Sequence, residues 1–136
     1  MTNLDDLQQG YEAQSKAAEL FQAKSDEQAH LLNRFALEKI LIAFHRGFEG
    51  QVLARLLLAF RSLAVTAFVT GRSEEGLAAL GTGLAYVDVG LRHWPGAPPL
   101  LDEQAQLIRL AEKVGGRPAA YVVEEVTGDW RWPFDK

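Results

Sequence analysis

Three charged side chains stand in stretches that are otherwise almost wholly apolar, and they carry the clearest chemical potential in this sequence. Val52 to Val69 reads VLARLLLAFRSLAVTAFV, and Glu74 to Trp94 reads EEGLAALGTGLAYVDVGLRHW. Arg55 and Arg61 in the first stretch and Asp88 in the second fall where burial is expected, and a buried charge needs a partner. If the two stretches pair as an antiparallel hairpin, the early residues of the first lie beside the late residues of the second. Arg55 is then the expected partner of Asp88, with Arg61 the next candidate. The trio reads as a structural ion pair, as arginines snorkelling at the bundle edge, or as a small anion site built on the two arginines.

The other reactive types are sparse. His30, His45 and His93 are isolated from one another in the sequence, and only His45 with Glu49 has the i, i+4 spacing that suits a metal ion. Glu49 stands past Gly47, where a helix is expected to end, so no metal site and no cofactor are expected. Cysteine is absent, which excludes disulfides, thiolate ligands and cysteine nucleophiles. No phosphate loop occurs, and no serine or threonine is set beside a histidine at a suggestive spacing. The expectation is a protein that is not an enzyme, and a ligand-binding or catalytic bundle using Arg55, Arg61 and Asp88 is the third choice.

Gly76, Gly83 and Gly90 recur at intervals of seven in a strongly helical pattern. Each costs a helix about 0.5–1 kcal/mol against alanine. With Ala79 they form a smooth stripe that admits another backbone closely, either from this chain's own long helix or from a subunit or partner helix. The second use makes the three glycines candidate partner-binding residues. Trp130, Trp132 and Phe134 are the other candidates. They alternate in the final DWRWPFDK, where Pro133 opposes helix, so in an extended conformation the three rings share one face. That face either folds over the chain's own bundle or docks on a neighbour.

These residues require helices to position them. An apolar run with no polar side belongs to a buried central helix or a membrane span, and two arginines near the middle favour the core helix. Gly71 reads as its C-cap, and Ser73 with Glu74 and Glu75 as the N-cap and acidic first turn of the next helix. A hairpin over about 51–94 follows. The spacing of Phe60, Leu63, Ala64, Ala67, Gly71, Gly76, Leu80 and Gly83 resembles a tetratricopeptide repeat, which implies two tightly paired helices with small residues at their contact. The resemblance covers one hairpin, about a quarter of the chain, and no 34-residue period recurs on either side. The second helix also runs on through Asp88 instead of meeting a proline.

Before the hairpin, Asn3 can cap a helix carrying Leu7, Tyr11, Ala18 and Phe21. Ser25 with Gln28 matches a capping box, so the N-terminal stretch is either one long helix over 4–46 or two helices broken there, with 1–25 a protruding arm. The second run carries Leu31, Leu32, Phe35, Ile40, Leu41, Ile42 and Phe44. After the hairpin, Pro95, Pro98 and Pro99 predict a loop. A shorter amphipathic helix through Leu101, Leu107, Ile108, Ala111 and Val114 stops at Gly115 and Gly116. A last helix is expected over 119–126, with an irregular tail over 128–136. The fold class is therefore all-α: a single four- or five-helix bundle built on the central hairpin, with a long N-terminal helix and an aromatic tail.

At 48% hydrophobic, 136 residues are enough for one domain with a real core. The net charge of −4 is unevenly spread. Residues 1–27 hold six acids and two lysines, 28–72 six bases and two acids, and 73–136 ten acids and six bases. Such partition predicts contact between the segments. The reading that follows is a non-enzymatic interaction or assembly protein, a homodimer that docks a protein partner. A nucleic-acid-associated role through the basic segment 28–72 is the alternative. The opening residues contain no apolar secretion segment, which with the lack of cysteine places the protein in the cytoplasm. Abundant Ala, Leu, Gly and Arg fit a bacterial or phage gene.

Overall fold

The computed structural model describes residues 3–46 and 50–115, which form five α-helices and no strand: α1 (Asn3–Gln22), α2 (Asp26–Arg46), α3 (Gly50–Val69), α4 (Ser73–His93) and α5 (Pro98–Val114). The all-α bundle on a central hairpin is thus the observed architecture. The expected helix over 119–126, the tail residues Trp130, Trp132 and Phe134, and Glu49 lie outside the described residues.

Of the two forms open for the N-terminal stretch, the broken one is observed, with a reversal at Lys24. Its φ of +60° is left-handed, and the Ser25 N–H donates to the Leu20 carbonyl, closing the end of α1. Gly71, at φ +80°, ends α3 in the same way, with the Arg72 N–H donating to the Ala67 carbonyl. Residues 3–22 are no protruding arm. They lie along α2, and Asp6, Ala13 and Ala17 are buried there. Gly10 makes this approach close: a Cβ on it would stand 2.7 Å from Ile40 Cγ1 and 3.3 Å from the Ala36 carbonyl oxygen.

Neighbouring helices run antiparallel throughout. His30 meets Thr66 across α2 and α3, Phe68 meets Gly76 across α3 and α4, and Leu100 meets Gly90 across α4 and α5. α3 is the centre. It touches α2, α4 and α5, and Leu53, Leu56, Leu57, Phe60 and Leu63 are fully enclosed. By length and composition α3 could cross a membrane; here just over half of the stretch Val52–Val69 is buried within the bundle. Tyr86 of α4 fills the space beside it, stacked on Phe60 at 5.5 Å and edge-on to Phe44 at 5.6 Å.

Two boundaries differ from expectation. Ser73 is the first residue of α4, and the preceding Arg72 makes no side-chain cap. Pro98 and Pro99 do not prolong the loop but open α5, where a missing N–H costs the helix nothing. Gly115, at φ +73°, ends α5 as expected.

The uneven charges do meet. Asp6 of α1 receives Arg46 at 2.9 Å and Lys39 at 3.7 Å, Glu75 receives Arg34 at 3.6 Å, and Glu27 pairs with Arg72. Each contact joins an acid from a flanking segment to a base of the middle one.

Candidate functional site

The expected Arg55 and Asp88 pair does not form. Leu53 faces Gly90 and Phe60 faces Gly83, so the hairpin register does set Arg55 level with Asp88. Each, however, stands two residues from a contact position, which turns its side chain by roughly 200° away from the other helix. Asp88 is 77% exposed and reaches Arg92 of its own helix at 3.8 Å. Arg55 turns to α1, where its guanidinium lies 4.2 Å from the centre of the Tyr11 ring. Arg61 is clamped by Glu103 of α5, with Nε and Nη2 each donating at 3.0 Å. The three residues form no common anion site.

The glycine stripe is likewise occupied within the chain. Gly76, Gly83 and Gly90 are buried, and a Cβ on them would stand 2.6 Å from the Phe68 ring, 3.2 Å from Phe60 and Leu107, and 2.5 Å from Leu53. α3 and α5 therefore leave no room for a partner helix along it.

What the fold assembles instead is a row of buried polar groups where α2, α3 and α4 meet. His30 is almost completely enclosed; its Nδ1 lies 2.9 Å from Thr66 Oγ1 and its Nε2 lies 3.1 Å from Glu75 Oε1. A carboxylate only accepts, so Nε2–H donates to Glu75, and in the neutral ring Nδ1 accepts from the Thr66 hydroxyl. Asn33 Nδ2 donates to the same hydroxyl oxygen at 3.2 Å and to the Ser62 carbonyl at 3.3 Å. Burial holds the His30 pKa below the ordinary imidazole value, with Glu75 opposing that shift and Arg72 and Arg34 adding to it.

Hydroxyl, imidazole and carboxylate in this order are also the parts of an activated nucleophile. Thr66 is enclosed in the last turn of α3, where the backbone N–H groups are committed to the helix. The row thus clamps three helices together. A second polar contact joins α2 to α4: His45 Nε2 lies 2.6 Å from the hydroxyl of Tyr86, whose pKa is raised by burial.

A cleft of about 210 Å³ opens over this row, between α1 and α3 with α2 as its floor. Gln14, Asn33, Arg61, Ser62 and Thr66 supply its polar surface, and Ala17, Ala18, Phe21 and Val65 its apolar walls. The Gln14 amide Nε2 donates to the Arg55 carbonyl at 3.4 Å, whereas its buried Oε1 accepts nothing. An acceptor left so costs roughly 1–3 kcal/mol. Sequence reasoning missed Gln14, His30, Thr66 and Glu75 as a group because they come from four helices. The only local signal was polarity at positions of a helical pattern that the core should own. Among the described residues, no three histidine or carboxylate side chains converge as a metal ion would require.

The outer face of α2 is the second feature. Leu31, Phe35 and Ile42 are 59%, 41% and 40% exposed. At 3.6 residues per turn they fall within roughly 40° of arc, directly opposite the buried Asn33. No family model, no curated protein and no solved structure matches the chain.

Proposed function

We propose that the chain is a non-enzymatic interaction or assembly protein that self-associates as a dimer through the outer face of α2. One observation carries this reading: Leu31, Phe35 and Ile42 are exposed and aligned on the side of α2 away from the core. Single exposed apolar residues need no explanation, but an aligned row on a helix is a contact surface. Positions 31, 35 and 42, in steps of four and seven, fall at the spacing of a two-helix contact.

The flanks favour a second copy as the occupant. Glu38 borders the stripe on one side and Lys39 on the other. In a parallel pair about a two-fold axis opposite flanks meet, which brings each Glu38 toward the Lys39 of the other copy, a lysine that also carries the buried Asp6 of its own chain at 3.7 Å. Lys39 also lies over the Phe35 ring at 5.5 Å, which holds it near the seam.

The nucleic-acid reading has less support. Arg34, Lys39, Arg46, Arg61 and Arg72 of the basic segment each have an acidic partner, so little uncompensated positive charge remains for phosphates. A cytoplasmic setting accords with a sequence free of cysteine.

The test is the solution mass of the full-length chain by light scattering over a concentration series, for wild type and for Leu31→Glu with Ile42→Glu. A concentration-dependent dimer that the double variant abolishes, with its helical dichroism intact, is expected. A wild type that stays monomeric throughout, or a dimer that survives both substitutions, overturns the proposal.

A further inference from the structure

A helix that is apolar on every side needs cover on every side, and α3 has one arc that its neighbours leave partly open. Measured around α3 from Phe60, which packs on Gly83 of α4, Leu58, Val65 and Val69 project at roughly 140–180°, away from α4. Leu58 and Val65 are half-buried, and Val69 is 52% exposed. α1 borders this arc on one side, where Gln14 donates to the Arg55 carbonyl, and α5 on the other, where Glu103 holds Arg61. Both borders are apolar near the end of α3. Phe21 of α1 lines the same cleft as Val65, and on α5 Leu110 and Val114 stand within roughly 20° of Glu103, the residue that faces α3.

The place where α5 ends indicates what covers this groove. Gly115, at φ +73°, reverses the chain beside Val114, which is 40% exposed at the groove's edge. Residues 116–136 follow. Among them Ala119, Val122, Val123 and Val126 recur at i, i+3, i+4 and i+7, the stripe of one helix face, and Tyr121, Glu124 and Glu125 fall on the other side. Pro118 suits the first position of such a helix. Gly115, Gly116 and Arg117 are then its link to α5, within the roughly 2–8 residues that join antiparallel neighbours in bundles. So short a link reaches only the two flanks of α5. The flank away from α3 presents the exposed Glu112 in the last turn, whereas the flank beside α3 presents Val114.

We propose that residues 118–126 form a sixth helix that returns antiparallel to α5 and seats its alanine and valine stripe on Val65 and Val69, between α1 and α5. Ala119 to Val126 spans roughly 10 Å, which is the distance along α3 from Val69 back to Ser62. Glu124 and Glu125 then face solvent. The mouth of the cleft above Asn33 and Thr66, which Val65 borders, is covered by the chain itself.

A chain without cysteine accepts a single spin label. Glu125→Cys, on the outer side of the sixth helix, carries a nitroxide in the isotope-labelled full-length protein, and backbone amide intensities are compared before and after the label is reduced. The amides of Phe21, Val65 and Val69 are expected to lose most of their intensity, and those of Ala43 and Arg46, at the far end of α2, to keep theirs. A mixture of spin-labelled chain without isotope and isotope-labelled chain without spin label is expected to show no loss, which separates docking within the chain from docking on a second copy. Val122→Asp with Val126→Asp is expected to restore the lost intensity. Full intensity at Phe21, Val65 and Val69 in the singly substituted chain, an equal loss in the mixture, or a loss undiminished by the two aspartates overturns the proposal. Repeating the measurement with Leu31→Glu and Ile42→Glu present keeps the result independent of self-association through α2.

Discussion

A single methyl group added at Gly90 tests how the glycine stripe is used. On an open helix face, Gly90→Ala would stabilise the chain by about 0.5–1 kcal/mol, because alanine loses less backbone freedom on folding. In this fold the new carbon would stand 2.5 Å from Leu53 Cδ2 and 2.9 Å from Leu100 Cδ1. Both leucines are enclosed, so their methyl groups have no solvent to turn into. Overpacking of this kind costs roughly 1–3 kcal/mol. The helix gain offsets part of that, leaving a net loss of about 1 kcal/mol. With a urea slope of roughly 1–3 kcal/mol per molar, the unfolding midpoint should fall by about 0.5 M. The assay is urea unfolding followed by far-ultraviolet dichroism, with Asp88→Ala, exposed on the far side of α4, as a control expected to shift stability by less than about 0.5 kcal/mol. A midpoint raised by Gly90→Ala would refute the packing argument, because it would mean that the stripe is open.

Three further outcomes are expected. Lys24→Gly should stabilise the protein by about 0.5–1 kcal/mol, since the left-handed backbone at φ +60° costs lysine roughly 1–2 kcal/mol and glycine's looser unfolded chain returns part of the gain; an unchanged or lower melting temperature would count against it. Arg46→Ala leaves the buried Asp6 carboxylate on Lys39 alone, and should cost about 1–2 kcal/mol after allowance for the half-exposed guanidinium; a double-mutant cycle with Asp6→Ala that returns no coupling would exclude the pair as a tie between α1 and α2. For His30, whose folded pKa is depressed by burial, the unfolded chain binds the proton more readily, so stability is full above the ordinary imidazole range and declines as pH falls through it toward the lower folded value. Urea midpoints across that range should therefore fall more steeply for wild type than for His30→Gln, and parallel profiles would rule out His30 as the source.

Much of the fold was legible because its signals are local. Gly71 and Gly115 end helices as glycines in left-handed positions do, and the capping pattern at Ser25 falls on the observed break. The hairpin register was legible too, to the extent that Arg55 does lie level with Asp88. Rotation about each helix axis was not, because both stretches are apolar nearly all round and either face is a credible core. The same degeneracy hid the α1 to α3 cleft, whose polar lining comes from three helices. It also hid the row through His30, Thr66 and Glu75, residues 36 and 45 positions from the histidine.

In α2, that degeneracy has a use. A helix between α1 and α3 needs apolar residues on one broad arc, which Ala36, Leu37, Ile40, Leu41 and Phe44 supply. Nothing in that packing calls for leucine, phenylalanine and isoleucine on the opposite side, where lysine or glutamate would serve the helix equally well. Core packing accounts for the first set and leaves the second unexplained. Leu31, Phe35 and Ile42 are therefore the surface on which the proposed self-association rests, and replacing Leu31 and Ile42 by glutamate tests it without touching the core arc.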